Sequence, residues 1–439
     1  MAETGSPEAG KGPRMAEIGS PEAGKGPRMA ETGPRVAFVL GTSAGGVGRH
    51  VAMLAAGLVR RGHRVVVAGP PSTEETFGFT RHGARFVPVP ISDRPRPGGD
   101  LRAVRVLRGL RGADAVHAHG LRAGALAALA LTGTRTGLVV TLHNAATAGG
   151  VVGAIYGVLE RIVARRADRI LVVSPDLGDR MTALGAGHVE AAVVPAPELA
   201  ASGRSPEEVR AELLSSVEAV GPAEPGESPE SGESAEPEPA ERGEPGGADR
   251  PILLTVARLA QQKGLETLLD AAASFAPGSA PERRALFLVA GDGPLRGELQ
   301  RRIDAEGLPV RLLGDRRDVG DLLAVARALV VPSRWEGQPL SVQEALRSGT
   351  PVVATAVGGI PPMVGRGGVL VPYGDAAAMS EAVRRILTDD EFARELAREA
   401  GRRGGELPGE REALEAVLAV YAGLDRAGTP GTDLREKLI

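Results

Sequence analysis

Short apolar runs alternate with helical stretches twice along this chain, and a stretch that can form neither separates the two series. The first series opens with Val36-Ala37-Phe38-Val39-Leu40, closed by Gly41, as expected of a strand buried on both faces. A glycine-rich loop at 41–48 comes next. The pattern then predicts helices at 49–60, 101–110, 123–131 and 151–167, and strands at 65–68, 115–118, 138–142 and 169–173. A second series has strands at 252–257, 285–290, 310–313, 328–331, 351–355 and 369–371. Helices at 265–274, 295–306, 319–326, 341–348 and 376–388 are interleaved with them. Strand–helix alternation of this kind implies βαβ units and doubly wound parallel sheets. The expected fold class is therefore α/β, with two Rossmann-like domains facing each other across a cleft. Ligands in such domains bind outside the carboxyl ends of the strands. A last helical pattern near 411–424 is expected to pack across the junction.

Between 203 and 250 the pattern stops. Pro, Glu, Gly and Ser dominate, with ten acids against the single Arg242 between positions 218 and 249. Such a stretch cannot offset the entropy of ordering itself, so it reads as a flexible acidic insert at a domain boundary. The first 28 residues are a near-duplicate, MAETGSPEAGKGPR then MAEIGSPEAGKGPR, followed by MAETGPR. A polar repeat of this kind reads as disordered, and Met15 and Met29 are alternative starts to Met1. The expected organisation is a tail at 1–34, a domain at 35–202, the insert at 203–250, a domain at 251–425 and a tail at 426–439.

With 439 residues, the chain is too long for one ordinary core. It contains no Cys, which excludes disulfides, thiolate metal sites and a cysteine nucleophile. No apolar run approaches the length of a membrane span, and the polar N-terminus has no signal-like core, so a cytoplasmic location is expected. Charge is uneven: 20 Arg face 11 acids from 35 to 200, whereas 21 Lys/Arg face 24 acids from 251 to 425. A basic first half favours an anionic partner, either a phosphorylated acceptor or a membrane face; the plainer reading is high Arg usage without function. Within it, Leu101, Val104 and Leu107 share a helical face beside Arg102, Arg105, Arg108 and Arg111. That helix suits contact with acidic lipid, or is a core-facing helix with a solvated basic side.

The densest chemistry lies in Glu336-Gly337-Gln338-Pro339-Leu340-Ser341-Val342-Gln343-Glu344. One carboxylate is in a loop after a strand and the other is inside the next helix, whose N-terminal amides would face the cleft and favour an anion. A carboxylate there offers two acceptor oxygens to a pair of sugar hydroxyls. Arg258 and Lys263, after the first strand of the second series, supply a planar fork and a point charge suited to a diphosphate, with Gly264 allowing close approach. Taken alone, these residues also fit a solvated helix entrance.

In this order, the segments VARLAQQKGLETLLDA, LVAGDGPLRGEL, VRLLG, ALVVPSRWEGQPLSVQEALRSGTPVVATAVGG and VLVPYGD resemble the retaining glycosyltransferases of family 4, which have the GT-B fold. The resemblance spans about 36–387 without the insert. It implies an N-terminal acceptor domain, a C-terminal nucleotide-sugar donor domain and an enzyme of the glycosyltransferase class. Arg258 and Lys263 would hold the donor diphosphate, Glu344 the ribose hydroxyls and Glu336 the neighbourhood of the donor sugar. The backbone of Gly337, Gln338, Pro339 and Leu340 would contact sugar and phosphate. In the first domain, Gly45-Gly46-Val47-Gly48 resembles the family's glycine loop, so Gly45 and Gly46 are expected at the ligand. His119 matches the family's active-site histidine. His117 is assigned to packing on the opposite face, and His143 to the neighbourhood of the cleft. His119, Glu336, Arg258 and Lys263 form the expected catalytic set, with front-face attack and the leaving diphosphate helping to take the acceptor proton. That chemistry is mostly positioning and charge stabilisation.

The expected partners are a nucleotide sugar as donor and a glycan, lipid or small-molecule acceptor, anionic acceptors included, with peripheral contact to a membrane face left open. No cofactor, metal or nucleic acid is expected. The chain departs from the family at Pro195-Ala196-Pro197-Glu198, in place of Pro-Asn-Gly-Val-Asp, and at Ile360-Pro361-Pro362, in place of Pro-Glu after Gly358-Gly359. Two other readings stay open: a nucleotide-sugar 2-epimerase, and an inactive sugar-nucleotide-binding protein. A nicotinamide oxidoreductase fits less well, because 41–48 lacks clean G-x-G-x-x-G spacing and no acid ends the second strand. No G-K-[ST] comes after a glycine loop, which excludes a P-loop ATPase.

Overall fold

Thirteen strands in two all-parallel sheets organise the chain in a computed structural model, which describes residues 33–43, 45–92, 94–144, 150–199, 202–218, 250–276 and 285–427. The repeated N-terminal segment, the acidic run from 219 to 249 and the last twelve residues lie outside the described residues. In the first lobe the chain runs β1 (Arg35–Leu40), α1 (Gly46–Arg60), β2 (Arg64–Gly69), α2 (Pro71–Phe77), β3 (Arg85–Pro88) and α3 (Pro97–Leu107). It continues through β4 (Ala115–His119), α4 (Leu121–Ala130), β5 (Gly137–Leu142), α5 (Gly150–Arg166), β6 (Arg169–Val172), α6 (Pro175–Ala183) and β7 (Val189–Ala191). Helix α7 (Pro206–Glu218) leads to the second lobe. There β8 (Ile252–Val256), α8 (Leu265–Ala272), β9 (Leu286–Ala290), α9 (Arg296–Glu306), β10 (Val310–Gly314) and α10 (Val319–Val325) form one half. The other half is β11 (Ala328–Val331), α11 (Leu340–Arg347), β12 (Val352–Thr355), α12 (Ile360–Val364), β13 (Gly368–Val371), α13 (Ala376–Thr388) and α14 (Asp390–Glu406), and α15 (Glu410–Ala427) ends the described chain.

Strand order is β3-β2-β1-β4-β5-β6-β7 in the first sheet and β10-β9-β8-β11-β12-β13 in the second. Order therefore reverses between β1 and β4, and again between β8 and β11, leaving a crevice at the carboxyl end of each pair. The central strands are covered on both faces, which is why they read as unbroken apolar runs. Phe38 and Phe287 are fully buried in their respective cores. Truncating either to Ala would cost about 3–5 kcal/mol. The edge strands β3 and β7 carry Arg85 and Glu190 and are partly exposed, so no apolar run announced them.

Three expectations need correction. Helix α1 begins at Gly46 rather than at 49, with Gly45 as its cap residue, so the end of the glycine loop is part of the first turn. The insert does not begin at 203, because α7 starts after Ser205, whose hydroxyl accepts from Glu208 N (3.2 Å) while the Glu208 carboxylate accepts from Ser205 N (2.9 Å). That reciprocal pair is a capping box, and Val209 and Leu213 are buried in the second lobe's core. The chain also crosses back: Leu414, Val417, Val420 and Tyr421 of α15 belong to the core of the first lobe. The second lobe by itself therefore ends before α15.

The lobes are clasped by side chains that read backbone. Gln338 accepts from Val194 N (2.9 Å) and donates to Ala192 O (2.6 Å), and Gln343 accepts from Ala196 N (2.9 Å) and donates to Val194 O (2.9 Å). Arg347 donates to Ala196 O (2.7 Å) and Pro408 O (3.0 Å), and Trp335 Nε1 donates to Asp176 (2.8 Å). Gly337 and Gly359 sit so close to Val173 that a Cβ on either would run into it. This contact sets the spacing of the two crevices.

Candidate active site

The crevices open into one cavity of about 1110 Å³ between the lobes. From the first lobe it is lined by the glycine loop, by Ser92 and Arg122, and by His119, His143 and Tyr156. The second lobe contributes Arg258, Lys263, Asp292, Arg316, Leu340 and Glu344. Three helices begin at its edge, since Gly46 (α1), Leu121 (α4) and Leu340 (α11) all line it. Their first-turn amides and the aligned peptide dipoles make that wall favourable to an anion. The first and third approach closely: a Cβ on Gly46 would lie 3.5 Å from the Leu340 side chain.

Backbone geometry holds the cations. Ala257 N donates to Ala290 O (3.0 Å) and Leu259 N to Asp292 O (2.9 Å), which straps the segment carrying Arg258 to the loop after β9. Gly291 has φ +135°, and a Cβ there would meet Ala257 O, so only glycine lets the strap close. Gly264, at φ +59°, packs against Pro332 O with no room for a Cβ. That contact brings Lys263 beside the loop after β11. Lys263 Nζ lies 2.6 Å from Glu336 Oε1, which also accepts from Ser333 Oγ (2.7 Å). Glu336 is buried, and a buried carboxylate without its cation would be costly.

Glu344 lies in the second turn of α11, facing the cavity. Burial raises its carboxyl above the ordinary range, while Arg49 across the cleft and Arg347 behind it pull the other way. Arg49 is exposed in the first turn of α1.

The first-lobe wall is backed by four imidazoles. His119 ends β4 opposite Leu40 of β1, at the reversal of strand order. Its ring stacks on His117 (4.3 Å between centroids) and on His143 (5.3 Å), while His50 approaches edge-on at 5.7 Å. His119 Nδ1 lies 3.0 Å from His143 Nε2, and His119 Nε2 has no partner in the protein. His117 bonds Tyr421 OH (2.8 Å) and Thr141 Oγ1 (2.6 Å). Burial lowers all four: His117 to about 3, His143 to about 4, His50 and His119 well below the ordinary value, with the neighbouring rings adding to the effect in His50, His117 and His119. The cluster is thus neutral at neutral pH, and in the 3.0 Å contact one ring donates while the other accepts.

Of the residues singled out from sequence, Gly45, Gly46, His119, His143, Arg258, Lys263, Pro339, Leu340 and Glu344 line the cavity. Glu336, Gly337 and Gln338 do not. Glu336 reaches the site through Lys263, and Gly337 and Gln338 belong to the lobe clasp. His117 is a correction: residues two apart on a strand share a face, so it stacks directly on His119 rather than pointing away. Sequence reasoning passed over Arg49, His50, Gln343 and Arg316. Gln343 sits inside the glutamate-bearing segment, but its partners are backbone atoms almost 150 positions away. Among the described residues no group of three or more His, Cys, Asp or Glu is arranged to hold a metal ion, and no helix is long and apolar enough to cross a membrane.

Residues 250–389 match the family described as glycosyl transferases group 1, and residues 45–197 match the glycosyl transferase 4-like domain. An alpha-D-kanosaminyltransferase of Streptomyces kanamyceticus is 32% identical over 184 residues, 40% of this chain and 46% of that protein. A 2-deoxystreptamine N-acetyl-D-glucosaminyltransferase of Streptomyces fradiae is 35% identical over 153 residues, 34% of this chain and 36% of that one. The chain thus spans less than half the length of either relative. Among solved structures, HepE of Anabaena in complex with UDP-glucose superposes with a TM-score of 0.68 at 17% identity, over 89% of this chain and 99% of that one. Sucrose-phosphate synthase of Thermosynechococcus elongatus gives 0.70 at 22% identity, over 90% and 100%. At such identities these two establish shared architecture.

Proposed function

The chain belongs to the group 1 glycosyltransferases, with a glycosyl transferase 4-like first domain and the GT-B fold, and on that premise we propose that it transfers a sugar from a nucleotide-diphosphate donor to an acceptor hydroxyl with retention at the anomeric carbon. The observation that carries the reading is the convergence of Arg258, Lys263 and Glu344 from one lobe with His119 and the Gly45–Gly46 turn from the other on one cavity. Arg258 and Lys263 take the diphosphate, each charge-assisted bond contributing about 1.5–3 kcal/mol in a shielded site. Glu344 accepts from the ribose hydroxyls. Glu336 orients Lys263, and His119 forms part of the wall against the donor sugar.

In the reaction the bond from the anomeric carbon to the diphosphate oxygen breaks as the acceptor oxygen bonds on the same face. The acceptor proton passes to the departing phosphate oxygen. The protein positions the two reactants and stabilises charge on the leaving group. Neutral imidazoles behind His119 suit this scheme, since no side-chain base has to hold the proton. Two protein cations stand where a divalent metal would otherwise neutralise the diphosphate, so the reaction proceeds without one, in the cytoplasm. Arg49, exposed beside the glycine loop, favours an acceptor with an anionic group, and the arginines of α3 favour delivery at an acidic membrane face.

A thermal-shift screen against nucleotide diphosphate sugars, with product analysis of each hit, tests the proposal. The product anomer is read by NMR. Absence of any stabilising nucleotide sugar would refute the donor site; an inverted anomer would refute the mechanism; loss of turnover on chelation, restored by a divalent cation, would refute the metal-free scheme.

A further inference from the structure

Six large hydrophobic side chains are exposed among the described residues, and five of them, Leu101, Leu129, Val152, Ile155 and Val158, lie on α3, α4 and α5. These helices are neighbours in one layer, α4 packing against α3 on one side and α5 on the other. Most of α4 is buried between its flanking helices, which leaves α3 and α5 to form the outer surface. Val152, Ile155 and Val158 recur every third residue and so lie along one side of α5. Scattered apolar residues on a surface mean little, but their concentration in one layer marks an interaction face.

The charge of the same layer indicates the partner. The three helices carry only two carboxylates, and both are already held: Asp100 by Arg122 at 2.6 Å, and Glu160 by Arg180 at 2.7 and 2.6 Å. Arg102 and Arg105 on α3 and Arg161, Arg165 and Arg166 on α5 are exposed, and no acid on these helices is left to neutralise them. An apolar strip edged by arginines matches an anionic lipid surface, where the aliphatic side chains enter the interface and the guanidinium groups meet headgroup phosphates. The face also adjoins the cavity: Tyr156 of α5 and Arg122 of α4 both line it.

We propose that the outer surface of α3 and α5, with Leu129 between them, docks the protein on an anionic bilayer with the mouth of the cavity at the membrane plane. This deepens the α3 contact in the functional reading, and it rests on that reading for its consequence, delivery of an acceptor from the lipid phase. The docking itself is tested separately. The full chain is sedimented with phosphatidylcholine vesicles and with vesicles containing phosphatidylglycerol, at low and high salt. The expected result is salt-sensitive binding to the anionic vesicles only. The triple substitution Val152→Ser, Ile155→Ser, Val158→Ser, and separately the set Arg102→Gln, Arg105→Gln, Arg161→Gln, Arg165→Gln, should each weaken binding at least about tenfold while melting temperature and the thermal response to a nucleotide sugar stay as in the parent.

Equal binding to neutral vesicles, or unchanged binding by both variants, overturns the proposal. So does concentration-dependent dimerisation abolished by the triple substitution in a chain that ignores vesicles, which would make the face a contact between copies. A chain that binds anionic vesicles but responds to no nucleotide sugar refutes the transferase reading and leaves the surface standing.

Discussion

Four histidines back the first lobe's wall of the cavity without carrying charge, whereas the second lobe's wall presents Arg258, Lys263 and the carboxylate of Glu344. The same architecture thus yields two kinds of recognition surface at equivalent points, the carboxyl ends of strands flanking a reversal of order. The difference lies in whether the polar groups stand on the strand or beyond it. In the first lobe β4 itself carries imidazoles, buried under Phe38 and Tyr421, so solvent cannot support their charge. In the second lobe the cations sit beyond β8, where glycines at 264 and 291 let backbones touch, and Glu344 sits in α11; Arg258 is exposed and Lys263 half-buried. A neutral wall discriminates by shape and by which ring nitrogen carries the proton. A charged wall suits an anion such as phosphate, and binding to it is expected to be sensitive to salt.

The largest expected effect separates scaffold from chemistry within the neutral wall. His117→Ala removes bonds to Tyr421 and Thr141 and opens a void in the core. Stability should fall by about 3 kcal/mol in urea unfolding. His119→Gln should instead lower kcat with little change in stability. If the two substitutions behave alike, the division between the stacked rings is wrong.

On the charged wall, Lys263→Ala and Glu344→Gln should each reduce kcat/KM at least about tenfold, roughly 1.4 kcal/mol of transition-state binding. Lys263→Ala should also lower the melting temperature, because Glu336 is left buried without its cation. Unchanged kinetics in both variants would remove the donor site from this wall.

The walls should also differ in their response to acid. His117 and His143 have folded pKa values of about 3 and 4 against an ordinary 6.5. Between 6.5 and those values the unfolded chain binds protons that the folded chain refuses, so stability is complete above pH 6.5 and falls as pH drops. The slope is at most about 1.4 kcal/mol per pH unit for each residue. Urea unfolding at about pH 7 and about pH 5 should show it, and His143→Gln should flatten it; an equal slope in parent and variant would mean that the cluster is not neutral because of burial. The smallest expected effect is deletion of residues 222–247, whose composition has nothing to pack. The melting temperature should be nearly unaffected, and a collapse would contradict the flexibility inferred for that stretch from its composition.

Much of the molecule is legible in the sequence, for identifiable reasons. All six strands of the second sheet are legible, and the central ones appear as unbroken apolar runs because strands covered on both faces leave no polar alternation. Arg258, Lys263 and Glu344 stand out at strand and helix ends, but their order within segments that resemble a known family is what singled them out from a solvated helix entrance. The capping box at Ser205-Pro206-Glu207-Glu208 is equally present in the sequence, but the acidic composition downstream masks it.

What the chain determined by itself is local: which segments are the buried central strands, that helices alternate with them, and which side chains stand at strand ends, since short-range sterics and burial act over a few residues. Only the folded structure decided that His117 bonds Tyr421, that Gln338 and Gln343 clasp the first lobe instead of facing a ligand, and that α15 returns to a core begun nearly 400 residues earlier. The lobe clasp and the return of α15 join atoms far apart in the chain, and no local preference specifies them; they arise from how two sheets and their helices pack into a single body. The His117–His119 stack is different, since the two-residue period of a strand already places both rings on one face.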